Sequence, residues 1–579
     1  MGNGTNNQIY DLNMPKSLNY PNVSVGAILK GSANRFRDRV AYIYRDHEIT
    51  YWEVYCKSLR FANALRKLGV DKGTVVSTHL PTCPQYIIAY YGIILCGATY
   101  SPINPYFKAH DVEYQLNDSD TEVVITYETF AQTIQQVYDN TKLKKVIVSG
   151  DREMFTEDNQ IDTSIYGENW YSFQALQADS TEEELNIAID PKNDLVQIAY
   201  TGGTTGRPKG VMNTHMNLVS SMIQTAAWGY GCLAHVEDDG GLVLEPVEKD
   251  KEVYLSKYAS LPGTTVGLSP SPLFHVSGVF SCIVYPYFLG KTTVLIDRFN
   301  PKEFLSLIEK FGVTDIAGAP AMWNVLCRHP DVKNFDFSTV KSVGSGSAPL
   351  AKEQMKLLRK TFPNAIIGEG YGLTEATSSV SNTVLIRSGL QKIGTVGPPL
   401  FDTEVKIIAI DGSSEAPLPN GKTGEICVRG PQVMKGYYNK PKQTEETLRG
   451  GWLHTGDIGI IDEDGLLSIV DRKKDMLIYN GYNVYPSKIE DLLFQHPAVS
   501  NVAVIGKPHS NTGEIPKAFV TLKQDGIATE KELMEYVNEQ VVHYSKIREL
   551  EIVEELPHTA AGKILKRKLL DMEKEKMGL

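Results

Sequence analysis

Two periodicities of apolar residues alternate along the chain. From Ser58 to Gly69 the apolar positions Leu59, Ala62, Leu65 and Leu68 fall three apart and stop at a glycine, which predicts a helix. Val75–Leu80, Glu122–Tyr127 and Lys144–Ser149 are short runs rich in β-branched residues and predict strands. Alternation of this kind predicts parallel sheets covered by helices, an α/β fold. The longest apolar stretch, around Tyr86 to Tyr100, is shorter than the ~20 residues a membrane span needs and predicts a buried helix. Residues 231–262 break the rhythm. They are acidic and glycine-rich, as in Glu237-Asp238-Asp239-Gly240-Gly241, and predict a surface insertion. The α/β pattern resumes from 264 to 400. Residues 401–470 then carry shorter strands, Glu404–Ile410, Gly424–Arg429 and Leu466–Val470. The charged run Asp471–Asp475 separates two apolar strands and marks a boundary, giving domains at 1–472 and 473–579. The second holds a helix at Ser487–Gln495, strands at Ser500–Ile505 and Ala518–Leu522 and two further helices, enough for a small α+β domain. Its last helix, with Lys566, Arg567 and Lys568, reads as a solvated basic face.

The densest chemistry follows the predicted strand Asp194–Tyr200. There the chain reads Thr201-Gly202-Gly203-Thr204-Thr205-Gly206-Arg207-Pro208-Lys209-Gly210. Glycines let successive backbone N–H groups converge on one anion, threonine hydroxyls add donors, and a lysine adds a point charge. The outline is a phosphate cradle. It is not the G-x-x-x-x-G-K-[ST] loop, because Lys209 lies between Pro208 and Gly210. A flexible linker is the competing reading, but linkers seldom follow a buried strand directly.

Four other segments carry chemistry. Gly344-Ser345-Gly346-Ser347-Ala348-Pro349-Leu350 has small residues that permit close approach of a flat ring. Gly368-Glu369-Gly370-Tyr371-Gly372-Leu373-Thr374-Glu375 places an aromatic that can stack on a base beside a carboxylate that can hold Mg²⁺. Trp452–Asp457 puts a carboxylate after a turn glycine, suited to gripping ribose hydroxyls, and Gly562-Lys563 places a lysine after a second glycine-containing turn. Each alone is more often structural; their joint order carries the signal.

Composition narrows the class. Of 579 residues, 42% are hydrophobic and 22% charged, as in soluble globular proteins. The net charge of −11 argues against a nucleic-acid scaffold but not against ATP, which needs only local positive charge. The seven cysteines, at 56, 83, 96, 232, 282, 327 and 427, show no C-x-x-C pair, so reduced thiols and a cytoplasmic protein are expected. The first twenty residues lack the basic and apolar regions of a signal peptide. No transmembrane segment is predicted, which leaves peripheral membrane contact open. Oligomeric state is not legible.

Taken together, the motifs resemble the adenylate-forming superfamily of acyl-CoA synthetases, firefly-type luciferases and peptide-synthetase adenylation domains. The resemblance rests on residues 200–210, on P-L-F-H-V-S-G at 272–278, on G-Y-G-L-T-E at 370–375, on H-T-G-D at 454–457, on D-R-K-K-D at 471–475 and on the late G-K at 562–563. It covers roughly residues 20 to 575. It implies a large N-terminal domain of two α/β sheets plus a distorted β-barrel, joined to a small mobile C-terminal domain at a hinge, Lys474. It implies ATP, Mg²⁺ and coenzyme A as partners of a small carboxylic acid. By motif position the Thr201–Gly206 loop wraps the β/γ-phosphates, with Thr204 among its working donors, and Lys209 supports its shape. Glu375 binds Mg²⁺ with Thr201. Ser347, Gly370 and Tyr371 frame the adenine, Ala348, Pro349, Glu369, Gly372 and Thr374 are further nucleotide-binding positions, Asp457 and Arg472 hold the ribose, and Lys563 reaches the α-phosphate and the carboxylate. His275 borders the acyl pocket, where a buried, hydrogen-bonded structural histidine is the alternative. Gly481 and Tyr482 lie where family members close over the thiol.

The loop variant is similar to that of medium- and long-chain fatty acyl-CoA ligases. Ala317-Gly318-Ala319-Pro320-Ala321, beside Met322 and Trp323, would supply one wall of an acyl tunnel or simply ordinary packing. An aryl-CoA ligase of the 4-coumarate type is the nearest rival. An inactive acyl-binding scaffold would predict damaged motifs, and none is damaged.

Overall fold

The computed structural model describes residues 14–153, 160–201, 207–383, 385–387, 389, 392–523, 526–559 and 563–577. Two eight-stranded sheets dominate it. The first runs Gly436–Tyr437, Gly210–Thr214, Leu195–Tyr200, Thr99–Pro102, Val75–His79, Val123–Tyr127, Lys145–Ser149 and Trp170–Ser172. Its strands are parallel except where Leu195–Tyr200 turns back into Gly210–Thr214 and where Gly436–Tyr437 adds to that edge. The second runs Ser381–Asn382, Ile366–Tyr371, Ser342–Ser345, Asp315–Gly318, Val266–Leu268, Thr292–Leu295, Val40–Tyr44 and His47–Thr50. A five-stranded antiparallel sheet, residues 404–472, stands where the barrel is expected. A separate C-terminal domain holds its own five-stranded sheet and its own core, built on Leu477, Val484, Ile489, Leu493, Val504 and Val520.

The largest core joins helices Val25–Arg35, Tyr51–Lys67, Pro84–Leu95 and His215–Tyr230. Helix Pro84–Leu95 is apolar on every side and is buried throughout, as that pattern requires. The predicted apolar stretch 86–100 is not one helix, however. It ends at Leu95, and Gly97, at φ 78°, turns the chain into strand Thr99–Pro102. The helix predicted from Ser58 starts at Tyr51, where Thr50 and Glu53 form a reciprocal capping box.

Residues 231–262 also differ from expectation. They fold as a hairpin, Cys232–Val236 with Leu242–Pro246, followed by helix Lys251–Lys257. Leu242, Leu244, Tyr254 and Tyr258 join the main core. A Cβ on Gly31 would lie 2.5 Å from the Leu242 carbonyl oxygen, so this hairpin packs directly on helix Val25–Arg35. The acidic tip Glu237–Asp239 stands in solvent and masked the apolar alternation.

All seven cysteines are unpaired and six are buried. Among the described residues no helix is long and apolar enough to cross a membrane.

Candidate active site

A cavity of about 1240 Å³ opens where the two large sheets, the antiparallel sheet and the C-terminal domain meet. The ends of parallel strands deliver Tyr200, Thr201, Ser345, Ser347, Glu369 and Tyr371 to it, as expected for an open α/β sheet. Thr201 follows strand Leu195–Tyr200, and its N–H donates to the Lys209 carbonyl at 3.1 Å, closing the base of the loop. Residues Gly202, Gly203, Thr204, Thr205 and Gly206 lie outside the described residues. On the far side of the loop, the Arg207 guanidinium sits 4.8 Å from the Tyr114 ring centroid, and Tyr114 Oη donates to the Pro208 carbonyl at 2.9 Å. Lys209 Nζ lies 4.6 Å from the Tyr437 ring centroid, and Tyr437 Oη donates to Glu375 Oε1 at 2.8 Å. Tyr437 thus joins the loop lysine to the candidate metal-binding carboxylate. No motif marks it in the sequence, because the two-residue strand Gly436–Tyr437 reaches the site only by pairing with Gly210–Thr214.

Ser347 lies on the cavity wall in the turn after strand Ser342–Ser345, at φ 69°, a left-handed conformation uncommon for serine. Ala348 and Pro349 shape that turn but are not on the wall. Glu369, Gly370, Tyr371, Gly372, Thr374 and Glu375 all line the cavity. A Cβ on Gly372 would fall 1.5 Å from the Ser378 carbonyl oxygen, so only glycine permits this turn. Glu369 is buried and accepts the Leu350 N–H at 2.9 Å, which braces the Gly346–Ala351 turn. Burial raises its pKa to about 7, with the Asp491 carboxylate adding to the shift.

Trp452–Asp457 is not a turn. It belongs to the long strand Trp452–Ile461, in which Asp457 stands opposite Arg472. Asp457 is off the cavity wall, with Oδ1 accepting from Arg472 Nε at 2.6 Å and Oδ2 from Tyr371 Oη at 2.7 Å. Arg472, Lys473 and Lys474 follow on the wall. Burial lowers the Lys474 pKa, helped by the neighbouring Lys209 and Arg472 charges.

Lys563 comes from the C-terminal domain. Its backbone is held by Thr559, which donates to its carbonyl at 2.7 Å and accepts its N–H through Oγ1 at 3.1 Å. The ammonium lies on the cavity wall and has no hydrogen bond among the described residues. Burial lowers its pKa, followed by repulsion from Arg472. His275 caps the short helix Val276–Gly278, accepting the Ser277 N–H at 3.2 Å with Nδ1 2.8 Å from Ser277 Oγ. Burial lowers its pKa too, with Lys563 second, so the ring is neutral near pH 7. Helix Val276–Gly278 runs into a π-helical turn, Val279–Val284, next to Pro286, whose missing N–H breaks the α ladder. This break sets Phe280 and Tyr285 on the cavity wall.

The more apolar side is lined by Trp228, Tyr230, Phe274, Phe280, Ala317 and Met322. Trp323 is absent from that wall and packs in the core of the second sheet. Gly481 and Tyr482 are not brought into the cavity. They form the tip of hairpin Leu477–Val484, where Tyr482 stacks on Tyr544 at 4.8 Å. Among the described residues no cluster of three or more His, Cys, Asp or Glu side chains forms a metal site.

Comparison with known proteins shows the family. Residues 29–438 match the family of AMP-binding enzymes, and residues 488–563 match the AMP-binding enzyme C-terminal domain. The chain is 35% identical to a long-chain-fatty-acid–CoA ligase of Bacillus subtilis (strain 168), over 98% of this chain and 97% of that one. It is 34% identical to 4-coumarate–CoA ligase 2 of Solanum tuberosum, over 90% and 89% of the two chains. Among solved structures it resembles the anthranilate CoA ligase AuaEII in complex with anthranoyl-AMP, with a TM-score of 0.82 and 25% identity over 96% of this chain and 99% of that one. The chain therefore belongs to the AMP-binding enzyme family.

Proposed function

We propose that this acyl-CoA synthetase of the adenylate-forming class takes a medium- or long-chain fatty acid as its substrate. A carboxylate oxygen attacks the α-phosphorus of ATP and expels pyrophosphate. The coenzyme A thiol then attacks the acyl carbonyl and releases AMP. The observation that carries the reading is one continuous cavity with a cationic motif face and an apolar arm. The likeness to the Bacillus subtilis ligase over nearly the whole chain supports the aliphatic acid.

In this reading the Thr201–Gly206 loop wraps the β/γ-phosphates, with Thr204 and Thr205 as donors and Lys209 holding its shape from the Tyr437 ring. Ser347, Gly370, Tyr371, Gly372 and Thr374 frame the adenine, and the turn through Ala348 and Pro349 is braced by Glu369. Arg472 grips the ribose, and Asp457 joins it by exchanging the Tyr371 hydroxyl for ribose hydroxyls. Lys563 donates to the α-phosphate and carboxylate oxygens, where charge gathers as the new bond forms. Neutral His275 lines the acyl side. The residues fit Mg²⁺, because Glu375 and Thr201 both line the cavity and offer hard oxygen donors, with one Glu375 oxygen engaged by Tyr437. Bound there, the ion would offset the charge of the triphosphate as a Lewis acid. Thioester formation follows rotation of residues 473–579 about Lys474, which carries Lys563 away and brings the Gly481–Tyr482 tip toward the thiol.

A second reading, an aryl-CoA ligase, is favoured by the aromatic residues Trp228, Tyr230, Phe274 and Phe280 on the acyl side and by the likeness to the Solanum tuberosum ligase. Acid-dependent AMP formation separates the two, measured with and without coenzyme A over alkanoates of two to eighteen carbons, cinnamates and benzoates. The fatty-acid reading expects the highest kcat/KM among alkanoates above six carbons. A clear preference for cinnamates or benzoates would replace it with the aryl reading.

A further inference from the structure

The wall of the cavity carries a charged pair on its apolar side. Asp315 and Ala317 alternate along strand Asp315–Gly318, and Ser342 and Gly344 stand opposite them on the neighbouring strand. These four share one face of the sheet and all line the cavity. From Gly318 back to Asp315 is about 10 Å along the strand, away from the Gly346–Ser347 turn. There Lys291 Nζ meets Asp315 Oδ2 at 2.8 Å, and Ser342 Oγ donates to the same oxygen at 2.9 Å. The rings of Tyr230 and Tyr285 flank the ammonium at 5.4 and 5.6 Å from their centroids. Lys291 is only 6% exposed.

A buried ion pair is a poor way to stabilise a fold, since apolar residues of the same volume serve as well or better. At the end of a tunnel for a hydrocarbon tail it is worse, because a terminal methyl would strip water from both charges and return no hydrogen bond. The geometry leaves two groups side by side on the cavity wall. The ammonium has three N–H donors, and among the described residues its one hydrogen-bond partner is Asp315. Asp315 Oδ1 accepts no hydrogen bond among the described residues, since both bonds go to Oδ2. The pair is neutral as a unit, so a second carboxylate would add uncompensated charge next to Asp315. A hydroxyl is neutral and is donor and acceptor at once.

We propose that Lys291 and Asp315 form a distal subsite for a hydroxyl group, so that the preferred acid is a fatty acid hydroxylated at the far end of its chain. The hydroxyl donates to Asp315 Oδ1 and accepts from Lys291 Nζ. The proposal rests on the fatty-acid reading above and adds the terminal group. A site built to hydrogen-bond a hydroxyl discriminates against the analogue lacking it far more strongly than an apolar pocket discriminates one methylene.

The test compares alkanoates, ω-hydroxyalkanoates and α,ω-dicarboxylates at matched lengths from six to eighteen carbons, with 4-hydroxycinnamate alongside, by kcat/KM for acyl-CoA formation. The wild-type protein is expected to favour the ω-hydroxy acid over the alkanoate by at least tenfold, over a narrow window of lengths that reaches the pair. In the double variant Lys291→Met/Asp315→Leu the ratio should fall below one. The ratio is taken within a single preparation, so a partly folded variant does not alter it. The wild-type comparison needs no variant at all. Alkanoates preferred at every length, dicarboxylates preferred over ω-hydroxy acids, or a ratio unchanged in the double variant would each overturn the subsite and leave the fatty-acid reading standing. Turnover of 4-hydroxycinnamate with no aliphatic acid accepted would overturn both.

Discussion

Arg472 and Asp457 face each other across paired strands, and the guanidinium Nε donates to the carboxylate at 2.6 Å. Tyr371 completes the unit from the second sheet through its hydroxyl. The pair therefore ties the antiparallel sheet to the end of strand Ile366–Tyr371. Asp457 is buried while Arg472 is half-buried, so loss of the arginine leaves the carboxylate unpaired. Arg472→Met and Asp457→Asn should each lower the denaturation midpoint, and the double variant should lose less than the sum. A double-mutant cycle by denaturant unfolding should return a coupling of about 1–3 kcal/mol.

Lys563 lines the cavity from the C-terminal domain. Lys563→Ala should slow acyl-adenylate formation on the order of a hundred- to a thousand-fold. Thioester formation from supplied acyl-adenylate should be spared. Single-turnover assays of the two half-reactions decide this, and an equal fall in both would remove Lys563 from the role assigned.

Tyr437 does two separable things. Its hydroxyl holds Glu375, and its ring seats Lys209. Tyr437→Phe removes only the hydrogen bond, worth about 1 kcal/mol, and should lower kcat/KM for ATP several-fold. Tyr437→Leu also removes the cation–π contact, about a further 0.5–1 kcal/mol, and should cost more. Equal effects of the two variants would mean that the ring contact contributes nothing.

Glu369 makes stability depend on pH. Its folded pKa is about 7 against an ordinary value of 4.5, so the folded state binds this proton more tightly than the unfolded state. Stability from this group is fully present below pH 4.5 and is lost as pH rises through 7, with a total effect of about 3 kcal/mol. Glu369→Gln keeps the acceptor for the Leu350 N–H and cannot ionise. It should raise the unfolding midpoint at pH 8 and flatten its slope between pH 5.5 and 7.5, as followed by urea titration at each pH. A variant whose midpoint tracks the wild type across that range would show that the Glu369 pKa is the same in the folded and unfolded states.

Much of the frame was legible because local pattern and tertiary role coincide. The parallel strands Val123–Tyr127 and Lys145–Ser149 are buried throughout or nearly so, and such strands read as continuous apolar runs. Other segments misled where local pattern and tertiary role diverge. The run from Tyr86 to Tyr100 is apolar throughout, and only the left-handed Gly97 separates its helix from the strand beyond. The hairpin at 232–246 carries an acidic tip that hides the residues packed on helix Val25–Arg35. Trp452–Asp457 reads as a turn because of Gly456, yet it is held in a strand by neighbours on both sides.

The sequence by itself determined which chemistry the chain carries. A glycine-threonine loop, the paired G-Y-G and carboxylate, and a late lysine are each short enough that backbone and side chain specify their character without help from afar. The tertiary structure alone decided which of them meet. Tyr437 reaches Glu375 from 62 positions away, because a two-residue strand pairs with the edge of the first sheet. Asp457 turns from the cavity to Arg472, which strand register sets opposite it, and to Tyr371, which reaches it from the second sheet. Lys291 lies just before strand Thr292–Leu295, Asp315 opens strand Asp315–Gly318, and neither carries a motif. Their pairing depends on sheet order, which no local stretch of residues encodes.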